Sequence, residues 1–152
     1  MIKKLLAMTV ITTMIISLVG CDTGKTISVS PDELASKLVS GVTFKDQLAK
    51  VEEDTVLDLY GLSQSQISDM SVYMGSGATA EEVAVFQTND TETVKKSAQQ
   101  RIKNKKADFE NYIPEEIPKL NDPVLQVKGD YVILCISDHN DQAEKVIHEV
   151  SK

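Results

Sequence analysis

The stretch Ser17-Leu18-Val19-Gly20-Cys21-Asp22-Thr23-Gly24-Lys25-Thr26 holds two chemistries that cannot coexist. Its second half ends as a phosphate-binding loop does, where glycines let backbone N–H groups wrap an anion and the lysine reaches the outer phosphates. That loop needs one more residue between its glycines than Gly20 and Gly24 have, and Val19 stands where the first glycine belongs. The residues that follow, Thr26-Ile27-Ser28-Val29, read as extended, and a helix starts only after Ser30. The match is a decoy. Other reactive side chains are scattered. Cys135 lies in Tyr131-Val132-Ile133-Leu134-Cys135-Ile136, apolar on both sides, and reads as a small buried hydrophobe rather than a nucleophile. Asp138-His139-Asn140-Asp141 gathers metal-capable groups but lacks the spacing and turning glycine of a calcium loop, and Asp138 as a helix cap explains it more simply. His148 falls off the apolar stripe of its helix and reads as solvated. The pairs Glu52-Glu53, Glu81-Glu82 and Glu115-Glu116 are adjacent in sequence, which splays neighbours apart, whereas acid/base catalysis needs carboxyls converging on one cleft. No H-E-x-x-H and no recognisable Ser–His or Cys–His pairing occurs. We therefore assign no catalytic residue, no metal ligand and no cofactor.

The first half of the opening stretch fits its surroundings better. Lys3 and Lys4 precede a run from Leu5 to Gly20 without a charge, a basic segment followed by an apolar one. The run is shorter than the roughly 20 residues that span a bilayer comfortably. Leu18-Val19-Gly20-Cys21 closes it and resembles the lipobox of bacterial lipoproteins. The resemblance implies that the Cys21 sulfur takes a diacylglyceryl group as a thioether and that a peptidase cuts between Gly20 and Cys21. Each buried CH₂ of an acyl chain contributes about 0.8 kcal/mol, and two chains make a stable anchor where one is marginal. The expected organisation is a leader over 1–20, a lipidated tether over 21–29, and a domain over 30–152 on the extracytoplasmic face of the cell membrane. An extended Asp22–Val29 tether reaches about 25–30 Å.

Composition narrows the partners. The 152-residue chain has a formal net charge of −7, and discarding Lys3 and Lys4 with the leader makes it −9. An acidic surface argues against nucleic acid, which needs a basic footprint, and disfavours docking on anionic lipid through the protein face. The chain has no tryptophan, so a base- or sugar-stacking platform is unsupported. With Cys21 lipidated, Cys135 has no cysteine to pair with.

The elements follow from local chemistry. Ser30-Pro31-Asp32-Glu33 starts a helix with a cap, a proline at the first position and a capping-box glutamate, and Leu34, Leu38 and Val39 form its apolar face up to Gly41. A short helix is expected over Asp54–Tyr60, ended by Gly61. Met70–Met74 and Glu82–Thr88 read as an antiparallel pair joined through Gly75-Ser76-Gly77-Ala78-Thr79, a plain turn with no lysine for a phosphate. The longest helix opens at Asp90 or Thr91 and runs to about Tyr112, with Val94, Ala98, Ile102, Phe109 and Ile113 as its stripe. Lys95, Lys96, Arg101, Lys103, Lys105 and Lys106 are placed on its other faces, more simply a solvated surface than a contact for an acidic partner. Ile113–Pro123 carries Pro114, Pro118 and Pro123 and is expected to cross as extended chain, anchored by Ile117 and Leu120. Val124–Val127 and Tyr131–Ser137 form a hairpin through Lys128-Gly129-Asp130. Its second strand, apolar on both faces, should be central. A last helix follows, with Ala143, Val146, Ile147 and Val150 inward.

"SGATAEEVAVF" (Ser76–Phe86), "YIPEEIPKL" (Tyr112–Leu120) and "VKGDYVILCISD" (Val127–Asp138) resemble the domain of unknown function 4358 family, small lipoproteins of Gram-positive-type bacteria, over roughly Pro31 to Val150. The resemblance implies a lipoprotein and brings no activity, ligand or site residue with it. The element order predicts an α+β fold, a single small domain with a four-stranded, mainly antiparallel sheet and helices packed on it. The function expected is a membrane-anchored binding or interaction module that docks to an envelope protein. A small-molecule-binding or sensing lipoprotein is the alternative, and an envelope hydrolase is a third reading.

Overall fold

The computed structural model describes residues 25–152. Gly20 and Cys21 lie outside the described residues, as does the whole 1–20 leader. The first helix, α1 (Pro31–Gly41), starts where Ser30 Oγ accepts a hydrogen bond from the Glu33 N–H at 3.2 Å. Leu34, Ala35 and Leu38 are its buried face. A two-residue strand, β1 (Ala49–Lys50), leads to α2 (Glu53–Tyr60). Gly61 stops α2 in a left-handed conformation at φ +62°, which costs glycine little because it has no Cβ. Strands β2 (Asp69–Met74) and β3 (Glu82–Gln87) follow, then the long α3 (Thr91–Glu110), capped where Asp90 accepts from the Thr93 N–H at 3.1 Å. After α4 (Ile117–Asn121), the hairpin β4 (Val124–Lys128) and β5 (Tyr131–Ile136) turns at Gly129, and α5 (Asn140–Val150) closes the chain.

All five strands form one antiparallel sheet in the order β1-β2-β3-β5-β4. The α+β class, the single small domain and the antiparallel sheet agree with expectation, and the short edge strand β1 raises the strand number from four to five. A two-residue strand leaves no period-2 pattern to read in sequence. Strand β5 is buried along its whole length between β3 and β4.

Because side chains alternate across a strand, the sheet divides the core into two layers. Ala84 and Phe86 of β3, with Val132, Leu134 and Ile136 of β5, face α2, α3 and α4. Val83 and Val85, with Ile133 and Cys135, face α1 and α5. Phe86 meets Tyr60 edge-on at a ring separation of 4.9 Å. Burying a side chain of this size contributes about 1.5–3 kcal/mol.

Two expectations are corrected here. The proline-rich segment is not extended: Pro114–Glu116 is a 3₁₀ turn that runs into α4. Pro114 is the first residue of the 3₁₀ turn and Pro118 the second of α4, both in a first turn, where an absent N–H leaves no bond unmade and the fixed φ already suits the helix. The tether also ends earlier than Val29. Thr26 and Lys152 exchange two backbone hydrogen bonds of 3.0 Å, the Ser28 N–H donates to the Val150 carbonyl, and Ile27 and Val29 pack on the α1/α5 side of the core. The chain is therefore part of the domain from Thr26 onward.

Candidate functional site

Charged side chains meet at the end of the sheet where β3 begins. Glu81 and Glu82 are adjacent, so the strand sends them to opposite sides. Both are buried, at 1% and 0% exposure. Glu82 points toward α3, where Arg101 and Lys105 stand one helical turn apart on the same face. Its carboxylate lies 2.7 Å from Lys105 Nζ and 3.0 Å from Arg101 Nη2, and it accepts a 2.5 Å hydrogen bond from the Tyr60 hydroxyl. Lys105 Nζ donates also to the Ala80 carbonyl at 2.7 Å.

Glu81 serves the other side. Its oxygens accept from the backbone N–H groups of Lys45 and Asp46 at 2.9–3.0 Å and from Thr79 Oγ1 at 3.2 Å. The fully buried Lys119 approaches it at 3.3 Å, reaches Glu116 at 2.8 Å and stands 3.5 Å from Asp138. Glu116 in turn accepts from the Ala80 N–H at 2.8 Å. Asp138 pairs with Lys45 at 2.8 Å.

Burial and pairing oppose one another in setting these charge states. For Glu82, burial pushes the carboxyl pKa up, but the Lys105 and Arg101 charges and their hydrogen bonds outweigh it and hold it below the usual range. Burial of Lys105 wins over the attraction of Glu82 and leaves its ammonium below the ordinary lysine value. Burial also works against the Lys119 cation, yet Glu116 and Glu81 more than compensate and raise it. The Tyr60 hydroxyl is pushed well up by burial and by Glu82, so it stays a donor.

A carboxyl held low in the fold adds stability that is complete above the unfolded-state range, about 4.3 for glutamate, and is lost as pH falls through the folded value. The unfolded state binds more protons in that window. The urea midpoint should therefore stay level from pH 7 to about 5 and fall below about 4.5, with Glu82→Gln showing a shallower acid decline than the parent.

The cluster corrects three sequence readings. Arg101 and Lys105 are not on a solvated face: Lys105 is 7% exposed and both close on Glu82. Asp138 does not cap α5, because it is held by Lys45 and Lys119, and His139 takes the cap position with its N–H donating to Ser137 Oγ. Glu81 and Glu82 diverge as expected of neighbours, but each enters a network of buried cations that sequence reasoning missed. One signal was present. The α3 stripe jumps from Ile102 to Phe109, and the turn between them places Lys105 on the same face.

In the glycine-rich loop beside the cluster, Ser76 donates to a carboxylate of the protein itself. Asp46 accepts from the Ser76 N–H and from Ser76 Oγ, both at 2.7 Å, and these bonds hold the Asp46 carboxyl low. A Cβ on Gly75 would stand 2.7 Å from Asp46 Oδ2, so the loop requires glycine for this close approach. A protein carboxylate thus sits where a bound anion would. Between this loop and α3 a groove of about 290 Å³ opens, with Met74, Thr79, Arg101, Asp108 and Phe109 among its walls.

Cys135 is buried on the α1/α5 side, and burial pushes its thiol up to about 12. A thiol reagent at pH 8 should leave Cys135 unmodified in the folded domain and label it fully in denaturant, read by peptide mass spectrometry. His148 is exposed on α5, as expected. Among the described residues no group of three or more His, Cys, Asp or Glu is arranged to hold a metal, and no helix is long and apolar enough to cross a membrane.

These features define an α+β domain whose antiparallel sheet is covered on both faces and whose β3 end is tied down by buried ion pairs. The family model for Domain of unknown function (DUF4358) matches residues 41–137, more than half of the chain, and the protein belongs to that family. The matched stretch is narrower than Pro31–Val150: it takes in the whole sheet and α2 to α4 but neither α1 nor α5. The family description attaches no enzymatic activity. No curated protein and no solved structure matches the chain.

Proposed function

We propose that this protein is a lipoprotein held on the extracytoplasmic face of the cell membrane through diacylglycerol on Cys21, where it acts as a non-enzymatic binding or interaction module. The observation that carries the reading is Leu18-Val19-Gly20-Cys21 at the end of an uncharged run behind Lys3 and Lys4. The short span between Cys21 and Thr26, where the domain begins, adds support by holding it against the envelope. A module of this kind docks to an envelope protein. The buried acids favour this over a hydrolase: Glu81, Glu82 and Glu116 all lie within ion-pair distance of a cation, whereas a general acid needs a carboxyl poised to release its proton.

The anchor is tested by expressing the full chain in a lipoprotein-maturing bacterial host. The expected product begins at Cys21, carries the mass of the acyl modification and leaves membranes only with detergent. An unmodified polypeptide mass, or release by a salt wash, would overturn it. The interaction role is tested by crosslinking on intact cells, where a reproducible envelope partner should be lost on substituting exposed residues. The groove beside Arg101 and Phe109 favours one second reading, a small-molecule or sensing lipoprotein. A saturable rise in melting temperature with a nutrient or wall fragment would support it.

A further inference from the structure

A groove of about 600 Å³ lies between α5 and the edge strand β4, and Lys25 forms part of its rim. Lys25, Lys128 and Lys145 line it together with His148, against the carboxylates of Asp141 and Glu144. With His148 neutral the lining carries an excess of one positive charge, in a mature protein that is strongly acidic. Lys25 and Lys145 are exposed.

Covalent geometry links this groove to Cys21. Four Cα–Cα steps separate Cys21 from Lys25, and however those residues are arranged they span at most about 14 Å. The Lys25 backbone leads straight into Thr26, which is clamped to Lys152. A lipid on Cys21 therefore brings this groove, and not the α3 side across the sheet, to the membrane surface. Acyl chains on Cys21 would keep the Lys25 rim within about 14 Å of the attachment point, close to a surface where an anionic leaflet attracts nearby lysines.

We infer that the α5/β4 groove is a docking surface for anionic phospholipid headgroups, with Lys25 and Lys145 contacting phosphate, so that the domain rests on the membrane in one orientation and presents its α3 side outward. The inference rests on the proposed Cys21 anchor. The lining's local excess of positive charge offsets the overall acidity that otherwise disfavours an anionic surface.

The test uses the full chain, matured in a lipidating host and reconstituted into vesicles of phosphatidylcholine alone or mixed with phosphatidylglycerol. A membrane-impermeant acylating reagent reports each lysine by peptide mass spectrometry. On the anionic vesicles, modification of Lys25 and Lys145 should slow about three- to five-fold, a magnitude matching the attraction of one lysine to an anionic leaflet. Raised salt should restore it, and Lys103, exposed on α3, should be unaffected. Lys145→Glu should weaken the protection of Lys25. If a lipidated, vesicle-bound chain shows equal rates on both vesicle types, the docking surface is overturned while the anchor stands. An unmodified Cys21 in unbound chain removes the anchor and the docking surface together. Equal slowing by glycerol phosphate in detergent, without vesicles, would make the groove a small-phosphate site and overturn membrane docking.

Discussion

Glu82→Gln should cost about 3–5 kcal/mol of folding stability, the usual penalty for removing one partner of a buried ion pair. The substitution preserves shape and leaves Arg101 and Lys105 facing a neutral amide, with Lys105 Nζ having lost its 2.7 Å carboxylate contact. A domain of this size has a total of about 5–15 kcal/mol, so the urea midpoint should drop by a large fraction while the slope stays that of the parent. Lys105→Met should cost a comparable amount by stranding Glu82. The double variant Glu82→Gln with Lys105→Met should lose clearly less than the sum of the two singles, because each substitution removes the charge that the other leaves without its partner. Additive losses would mean that the two side chains act independently and that the 2.7 Å contact contributes nothing. Arg101, 12% exposed at its side chain, keeps access to water and should be the mildest of the three to replace.

Lys119→Met should be the second severe substitution, again about 3–5 kcal/mol. Lys119 is fully buried and lies between Glu81, Glu116 and the half-exposed Asp138, so its loss leaves two buried carboxylates without their shared cation. The damage has an address. Glu81 receives the Lys45 and Asp46 amides and Glu116 receives the Ala80 amide. Hydrogen exchange at Lys45, Asp46 and Ala80 should accelerate in Lys119→Met more than exchange in β5, which lies at the centre of the sheet. Lys37→Met is the control. Its pair with Glu33 is about half exposed on both sides and contributes at most about 0.5 kcal/mol. If Lys119→Met behaves like Lys37→Met, the buried cluster is not what ties the 43–48 loop and α4 to the sheet.

The two substitutions describe one arrangement. Ala80, Glu81 and Glu82 are where the glycine-rich loop becomes strand β3, and each holds a different element: Glu82 takes α3 and α2, Glu81 takes the loop before β1, and the Ala80 amide takes the turn before α4. The cluster positions the loops around the 290 Å³ groove. On our proposal, that groove lies on the side of the sheet opposite to the one facing the membrane.

Much of this was legible in the chain because its causes are local. Ser30 with Pro31 starts α1, Gly61 ends α2, Asp90 caps α3 and Gly129 turns the β4–β5 hairpin, each through bonds or torsions that span a few residues. The apolar run in β5 requires cover on both faces wherever the strand lies, and its central place followed. Only the tertiary structure decided what the charges do. Glu82 and its α3 partner Arg101 are 19 residues apart, and Glu81 and Lys119 are 38 apart. Nothing in the hydropathy of a lysine tells whether an acid will be waiting for it across a core. Pro114 and Pro118 read as helix breakers in sequence, but each falls in the first turn of a short helix, and Thr26–Val29 reads as free tether, but it pairs with the segment around Ser151. Local sequence sets which segments become helix, strand or turn, because those choices are made among near neighbours. The merit of a buried charge is set by a partner brought close only when the sheet assembles.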